Sequence, residues 1–288
     1  MSNIHIIQPG FFSTIQDLGR NQFTHFGVPV SGAMDSFSAT QANLLLNNDR
    51  NDAVLEITMT GPILQFESET QICICGAEFE MLLDDKAIVN GKAYVVSRNS
   101  KLVFKSIKKG FRAYLAVQNG FKIPVVLGSR SQYQGITEQT RLQKGDVLNI
   151  ETVSTTSGNA GARIKIENEQ LWETEIPVFK GPEFVKLSLE QQNLILNTKF
   201  SLMPEGNRMA IPLREPFSNE LQGIITGPVL PGTVQLTPSG SLIVLMRDCQ
   251  VTGGYPRILQ ILEKGLCKIA QKKPGEFITF KMVEYDPH

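Results

Sequence analysis

Apolar positions fall into short β-branched or aromatic runs over most of the chain. Ile4, Ile6 and Ile7 suggest an opening strand, and from Ala53 to about Ile150 come AVLEI, ILQF, TQICICGA, FEMLL, AYVVS, KLVFKSI, FRAYLAV and LQKGDVLNI. Turn residues separate them at Gly61-Pro62, Asn90-Gly91, Lys109-Gly110 and Asn119-Gly120. Many short strands with regular turn signals predict a sandwich or barrel, and the lack of long helical patterns between them argues against βαβ units. IPVFK, TVQLT, SLIVLMRD, RILQILEK and FITFKMVEY continue the β pattern toward the C-terminus. Helical spacing occurs three times. Met34, Phe37, Ala42 and Leu45 give one buried face with Asp35 as its N-cap. LSLEQQNLILN contains Ser188 as the N-cap of its helix, and LCKIAQ is ended by Pro274. The expected fold is therefore mainly β with a few short helices, in two β-rich lobes. VSTTSGNAGAR at 153–163 is small, polar and Gly-rich, as a flexible connection is. It sets the expected division at 1–165 and 166–288.

Residues 8–43 break the β pattern. Gly10, Gly19, Gly27 and Gly32 alternate with Pro9 and Pro29, and Gln16, Asp17, Arg20, His25, Ser31 and Asp35 stand between them. A stretch this polar and turn-rich reads as ordered loops on a scaffold, where binding and catalytic groups concentrate. The alternative is that these side chains only tie the loops down. The loop at 127–135, with Arg130 and Tyr133, is either a second substrate-facing loop or a solvated excursion.

Composition narrows the function classes. Lys plus Arg equals Asp plus Glu at 28 each, so the basic excess of a nucleic-acid binder is missing. No apolar run approaches the ~20 residues of a membrane-spanning helix, and MSNIHIIQPG does not read as a signal peptide. Cys73, Cys75, Cys249 and Cys267 form no disulfide-like framework, which points to a reducing, cytoplasmic setting. Cys73 and Cys75 read as buried small hydrophobes. His5, His25 and His288 are the only histidines, and no two are spaced as metal ligands. No nucleotide-binding motif is visible, so no cofactor site is expected in this chain.

A second polar constellation lies near the C-terminus. TGPVLPGTVQLTPSG carries Gln235, and SLIVLMRDCQVTGGYPRI runs into Arg247, Asp248, Gln250 and Thr252, then Gly253, Gly254, Tyr255, Pro256 and Arg257. Adjacent glycines let backbone N–H groups approach an anion. An arginine can clamp a carboxylate, and an aspartate can act as base or orient an amide. Equally, Arg247 and Asp248 can form a structural ion pair, with the two glycines as a tight turn.

PGFFSTIQDLGR, GVPVSGAMD and QAN, together with LTPSGSLIVLMRDCQVTGGYPRI and AQKKPGEFITF, resemble the biotin-dependent carboxyltransferase, or allophanate hydrolase subunit 2, family. The resemblance frames nearly the whole chain. It implies cyclophilin-like β-barrel character. Its signature stretches fall on Gln16, Asp17, Gly19, Arg20, Ser31, Gly32, Asp35, Asn43, Asp248, Gly253, Gly254, Tyr255 and Pro256, and it implies that they line one cleft. One motif departs: the family's Arg-Met-Gly-x-Arg-Leu is RMAIPL here, at 208–213, without its glycine and second arginine. Arg208 remains, and Arg214 is the available substitute.

Three functions follow from the resemblance. The first is the C subunit of an ATP-dependent bacterial 5-oxoprolinase, opening the lactam of 5-oxo-L-proline to L-glutamate. It would work with a paralogous B subunit, from the inhibitor-like allophanate hydrolase subunit 1 family, and with a separate A subunit. ATP would be used by the complex. Asp17, Asp35 and Asp248 are then the catalytic candidates. Gln16, Arg20, Ser31, Asn43, Arg208, Gln235, Gly253, Gly254 and Tyr255 are the candidates for binding a small amide or lactam, with no metal. The second is a biotin-dependent carboxyltransferase component acting on a urea-like or amide acceptor. The third is a non-catalytic antagonist of a sensor-kinase inhibitor.

Overall fold

A computed structural model describes residues 2–151 and 168–284. The connection expected at 153–163 and His288 lie outside the described residues. The chain forms two compact units, one comprising Met1–Arg20 and Ser31–Asn168, the other Asn21–Val30 and Glu169–His288. The short excursion Asn21–Val30 thus groups with the second unit, which a linear division at 165/166 does not capture.

The first unit holds strands β1 (Ser2–Gln8), β2 (Phe12–Gln16), β3 (Val54–Thr58), β4 (Ile63–Phe66), β5 (Thr70–Leu83), β6 (Lys86–Ile88), β7 (Ala93–Val96), β8 (Lys101–Val117) and β9 (Val147–Ile150), and helix α1 (Ser36–Leu44). They form one nine-stranded sheet with the path β2-β3-β8-β4-β1-β9, while β5 pairs with β8 along its other edge and with β6 and β7. TQICICGA and FEMLL are a single strand, as are KLVFKSI and FRAYLAV. The turn expected at Lys109-Gly110 is instead a bulge in the β5–β8 ribbon, where Gly76 pairs with Ala113 but Glu78 pairs with Lys109. Gly76 (φ 89°) and Gly110 (φ 80°) take the left-handed backbone there. Such bulges bend a ribbon, which lets the sheet curl.

Period-two alternation sorts the two faces. Leu55, Ile57, Ile72, Ile74, Ala113, Leu115 and Val117 enter the main core. Val54, Cys73, Cys75, Tyr114 and Ala116 face the other way and pack with Ala33, Ala39, Ala42, Leu45 and Leu46, so the cysteines are buried small hydrophobes. Phe37 differs from expectation: it is exposed, and α1 buries Ser38, Ala39, Gln41, Ala42 and Asn43. Against a sheet face of Cys, Ala and Tyr the helix approaches with small side chains, and the bulky Phe37 lies off that face. Residues 12–16 also depart from the loop reading, since β2 pairs with β3 in unbroken register from Phe12↔Thr58 to Gln16↔Val54.

The second unit holds β10 (Glu175–Lys180), α2 (Leu189–Asn197), β11 (Phe200–Ser201), β12 (Ala210–Pro212), β13 (Gly227–Pro228), β14 (Thr233–Leu236), β15 (Leu242–Leu245), β16 (Thr252–Gly253), β17 (Arg257–Ile261), α3 (Glu263–Ala270) and β18 (Phe277–Met282). Seven strands form a curled sheet in the order β11-β18-β10-β17-β14-β15-β12, and β13 pairs separately with β16. Ser188 caps α2 in a capping box closed by Gln191. Helix α3 lies close to the sheet because Gly265 has no side chain; a Cβ there would sit 2.7 Å from Ile261 Cγ2 and 2.9 Å from Ile176 Cγ2. Among the described residues the protein is mainly β with three short α-helices, as its strand pattern predicts.

Candidate functional site

The polar residues of the first unit form two braces. Asp17 follows β2, and its carboxylate accepts four hydrogen bonds: from Gly19 N (2.8 Å), Ser129 Oγ (2.6 Å), Ser131 Oγ (2.6 Å) and Arg130 N (2.6 Å). Gln132 N donates to Ile15 O at 2.9 Å, and its Oε1 accepts from Ile15 N at 2.9 Å. The 129–132 segment is therefore laced onto the end of β2 and is no solvated excursion; Ser129, Ser131 and Gln132 are all buried. Arg20, 1% exposed, donates through its guanidinium to Ser131 O. Gln16 donates to Thr14 Oγ1 and Gln132 O, while its Oε1 is buried with no hydrogen-bond partner among the described residues.

The second brace holds the entry to α1. Asp35 caps the helix, accepting from Ser38 N at 3.0 Å and Ser38 Oγ at 2.6 Å. Its own N–H donates to Tyr114 Oη at 2.7 Å, and Met34 N donates to Glu56 Oε2 at 2.7 Å. Burial first, then the nearby carboxylates of Glu56 and Asp35, push the Tyr114 phenol well above its ordinary value, so it stays a neutral hydroxyl. Ser31 takes a left-handed φ of 57° with its hydroxyl buried and without a hydrogen-bond partner among the described residues. Gly32 lies so near the 17–19 backbone that a Cβ would meet Gly19 N at 2.9 Å. Asn43 is occupied at both ends of its amide, donating to Asp52 O at 2.7 Å and accepting from Asn48 Nδ2 at 3.0 Å.

In the second unit, Arg208 and Asp248 meet in a two-pronged pair, Nε to Oδ2 at 2.8 Å and a terminal nitrogen to Oδ1 at 3.0 Å. Arg247 turns to Glu263 at the start of α3. Arg257 holds Glu183 through Nε (3.0 Å), a terminal nitrogen (2.9 Å) and its backbone N–H (2.8 Å). Those hydrogen bonds keep the Glu183 carboxyl below the usual range despite its burial. Arg214, the available substitute for the missing motif arginine, is exposed.

Gly253 is the close-packed point of this unit. A Cβ on it would sit 2.4 Å from Gln235 Nε2, an amide nitrogen that is buried and makes no hydrogen bond among the described residues. The β13–β16 pair aligns Gly227 with Gly253, and Ile224 N donates to Gly254 O at 2.9 Å. Tyr255 is 42% exposed. The sequence candidates thus divide: Gln16, Asp17, Arg20, Ser31, Asp35 and Asn43 belong to the first unit, and Arg208, Gln235, Asp248, Gly253, Gly254 and Tyr255 to the second. Sequence reasoning missed Ser129, Ser131, Gln132, Glu56, Tyr114 and Glu183. Ser129, Ser131 and Gln132 lie in the loop it did single out; the other three carried no local signal. Among the described residues no three His, Cys, Asp or Glu side chains gather as a metal site requires, and no helix is long and apolar enough to cross a membrane.

Comparison with known proteins gives a consistent picture. The sequence profile of the carboxyltransferase domain, subdomains A and B, matches residues 26–282. The chain is 34% identical to the C subunit of 5-oxoprolinase from Escherichia coli strain K12, over 96% of this chain and 90% of that protein. It is 32% identical to the protein of the same name from Haemophilus influenzae, over 94% and 88% respectively. The solved urea carboxylase of Kluyveromyces lactis superposes with a TM-score of 0.87 at 27% identity, covering 98% of this chain but only 27% of that one.

Proposed function

The chain belongs to the carboxyltransferase-domain family, and from that premise we propose that it serves as the C subunit of an ATP-dependent 5-oxoprolinase, hydrolysing the lactam of 5-oxo-L-proline to L-glutamate with partner A and B subunits in the cytoplasm. The observation that carries this reading is the pair of relatives of that name, matched over nearly their whole length and this chain's at 34% and 32% identity. A lactam is a stable amide. Opening it at neutral pH calls for an activated carbonyl oxygen and for donors fixed in advance where negative charge develops. ATP would supply the activation through a partner, since this chain carries no nucleotide motif.

Under this reading Asp17, Asp35 and Asp248 act as positioning groups, because their oxygens hold loop donors, a helix start and Arg208. Gln235 Nε2, packed on Gly253, is the donor in this chain best suited to a developing oxyanion. The test is to combine the purified chain with the A and B subunits, 5-oxoproline and ATP and to follow glutamate release. A mixture that releases glutamate with an authentic C subunit but none with this chain would remove the proposal.

A second reading has one specific support. Urea amidolyase of Lachancea kluyveri matches 97% of this chain at 28% identity, although the match spans 17% of that protein. The corresponding function, carboxyl transfer from biotin to a urea-like acceptor, would need a carrier and a biotin carboxylase from other proteins. Carboxyl transfer from a supplied biotinylated carrier, with no glutamate release from 5-oxoproline, would favour it.

A further inference from the structure

The second unit contains a cavity of about 540 Å³ that none of the braced or ion-paired side chains described above lines. Its walls come from the 24–30 excursion on one side, with His25 and Val30, and from the β13 and β16 region on the other, with Val229, Cys249, Gln250 and Val251. The volume is ordinary for a small-ligand pocket, roughly 300–1,000 Å³. No Asp, Glu, Lys or Arg is among its described lining residues. Burial, and then the charge of Asp248, push the Cys249 thiol up to about 12, so the cavity meets a neutral sulfur at physiological pH.

Three arginines of the second unit are already matched. Arg208 is held by Asp248, Arg247 by Glu263 and Arg257 by Glu183. A carboxylate entering this cavity would therefore lose its hydration without gaining a guanidinium. An uncharged polar guest is better served. The side-chain oxygen of Gln250 is closed off from solvent and makes no hydrogen bond among the described residues. Turning it toward the cavity breaks no bond and gives a guest's N–H an acceptor. Thr24 and Thr252 bring hydroxyls to the same lining.

We propose that this cavity binds the uncharged ring of a small cyclic amide, its N–H donating to Gln250 Oε1 and its methylene groups packed against Val30, Val229 and Val251. The choice of a lactam deepens the 5-oxoprolinase reading and rests on it. The requirement for an uncharged N–H donor rests on the cavity alone.

The test titrates the full chain with 2-pyrrolidinone, observed by ligand NMR, beside cyclopentanone, which has the same ring size but no N–H, and 5-oxo-L-proline. 2-Pyrrolidinone should bind, and cyclopentanone should bind about threefold to tenfold more weakly, the range one neutral hydrogen bond gives. Gln250→Leu should erase that difference. Val251→Trp should fill the cavity and abolish binding; if it lowers the melting temperature, Val30→Phe takes its place. Three results overturn the proposal: no 2-pyrrolidinone binding, binding indifferent to a folded cavity-filling variant, or binding of 5-oxo-L-proline alone. Glutamate release by the assembled complex is a separate readout. A chain that binds 2-pyrrolidinone but supports no release refutes the 5-oxoprolinase reading and keeps the cavity, whereas a competent complex in which this chain ignores 2-pyrrolidinone refutes only the cavity.

Discussion

Asp248→Asn should destabilise the second unit strongly, and the size of the loss follows from the pair it breaks. Arg208 and Asp248 each expose 10% of their side chain, and two hydrogen bonds join them at 2.8 and 3.0 Å. Removing one member leaves the other charge buried without its counter-ion, which costs about 3–5 kcal/mol in well-buried pairs. The residual solvent contact puts the expected value near the lower end, about 3 kcal/mol. Arg208→Met should cost a similar amount. The double variant Arg208→Met/Asp248→Leu should recover most of the loss, because two apolar side chains leave no orphaned charge. The backbone should survive all three changes, since Asp248 N to Arg208 O and Met246 N to Met209 O, both 2.9 Å, tie the segments together without the side chains. Trp172 is the chain's one tryptophan and lies in the second unit, so its fluorescence during urea denaturation reads the relevant transition. A loss of about 3 kcal/mol moves the midpoint by about 1 M urea or more. Single variants that each cost under about 0.5 kcal/mol, or a double variant whose loss is the simple sum of the two, would refute the reasoning. Either result would return Arg208 to the role of carboxylate clamp that its sequence position suggests.

Asp17→Ala removes the acceptor for two backbone N–H groups and two serine hydroxyls, and should cost about 2–4 kcal/mol; limited proteolysis should then cut within residues 127–135, and an unchanged cleavage pattern would contradict the bracing role. The Glu183 carboxyl has its folded pKa depressed below the ordinary 4.5, so its stabilising contribution is complete above that value and disappears as pH falls through the lower folded value. Glu183→Gln should therefore show a smaller fall in melting temperature than the parent as pH drops below about 5, and parallel curves would show that the pair does not contribute. Gly265→Ala forces a methyl to within 3 Å of Ile261 and Ile176 and should cost about 1–3 kcal/mol by overpacking, read as a lower urea midpoint. Ser188→Ala opens the capping box of α2 and should cost about 1 kcal/mol; a neutral result would mean that packing alone sets that helix start.

What the sequence made legible was local. Alternating side chains identified the strands, and Asp35 and Ser188 marked two helix starts because an N-cap needs only a short acceptor in the right place. The signals failed where one physical cause imitates another. Lys109-Gly110 reads as a turn because glycine permits positive φ, yet the same property serves a bulge within a continuous strand. Phe37 fits a helical stripe, but the opposing sheet face presents Cys73, Cys75, Ala116 and Tyr114, which the sequence pattern of α1 cannot reveal. Pairings of charge were the least legible. Asp248 adjoins Arg247 in sequence and bonds to Arg208 forty positions away, and Asp17 holds a loop more than a hundred positions on. Nothing in local spacing encodes such contacts, because both depend on which strands become neighbours.

That distribution of charge bears on how a complex would divide its labour. The arginines of the C-terminal constellation each face a carboxylate of the same chain, and Arg20 is buried on a backbone carbonyl. Two-pronged pairs of this kind hold segments in one arrangement, but they are poor at capturing a second anion, because the incoming carboxylate must displace one already bound. An amide or ring, by contrast, asks only for neutral partners, and this chain has these in reserve: Gln235 Nε2 beside Gly253, and Gln250, a lining residue of the cavity whose Oε1 has only to turn toward it. Under the 5-oxoprolinase reading the substrate has one group of each kind on a single ring. The lactam then suits this chain, and the carboxylate calls for a cation that a partner supplies. The isolated chain should accordingly bind neutral lactams without preference for the acid, and a preference should arise only on assembly, as a rise in affinity for 5-oxoproline over 2-pyrrolidinone that weakens with added salt.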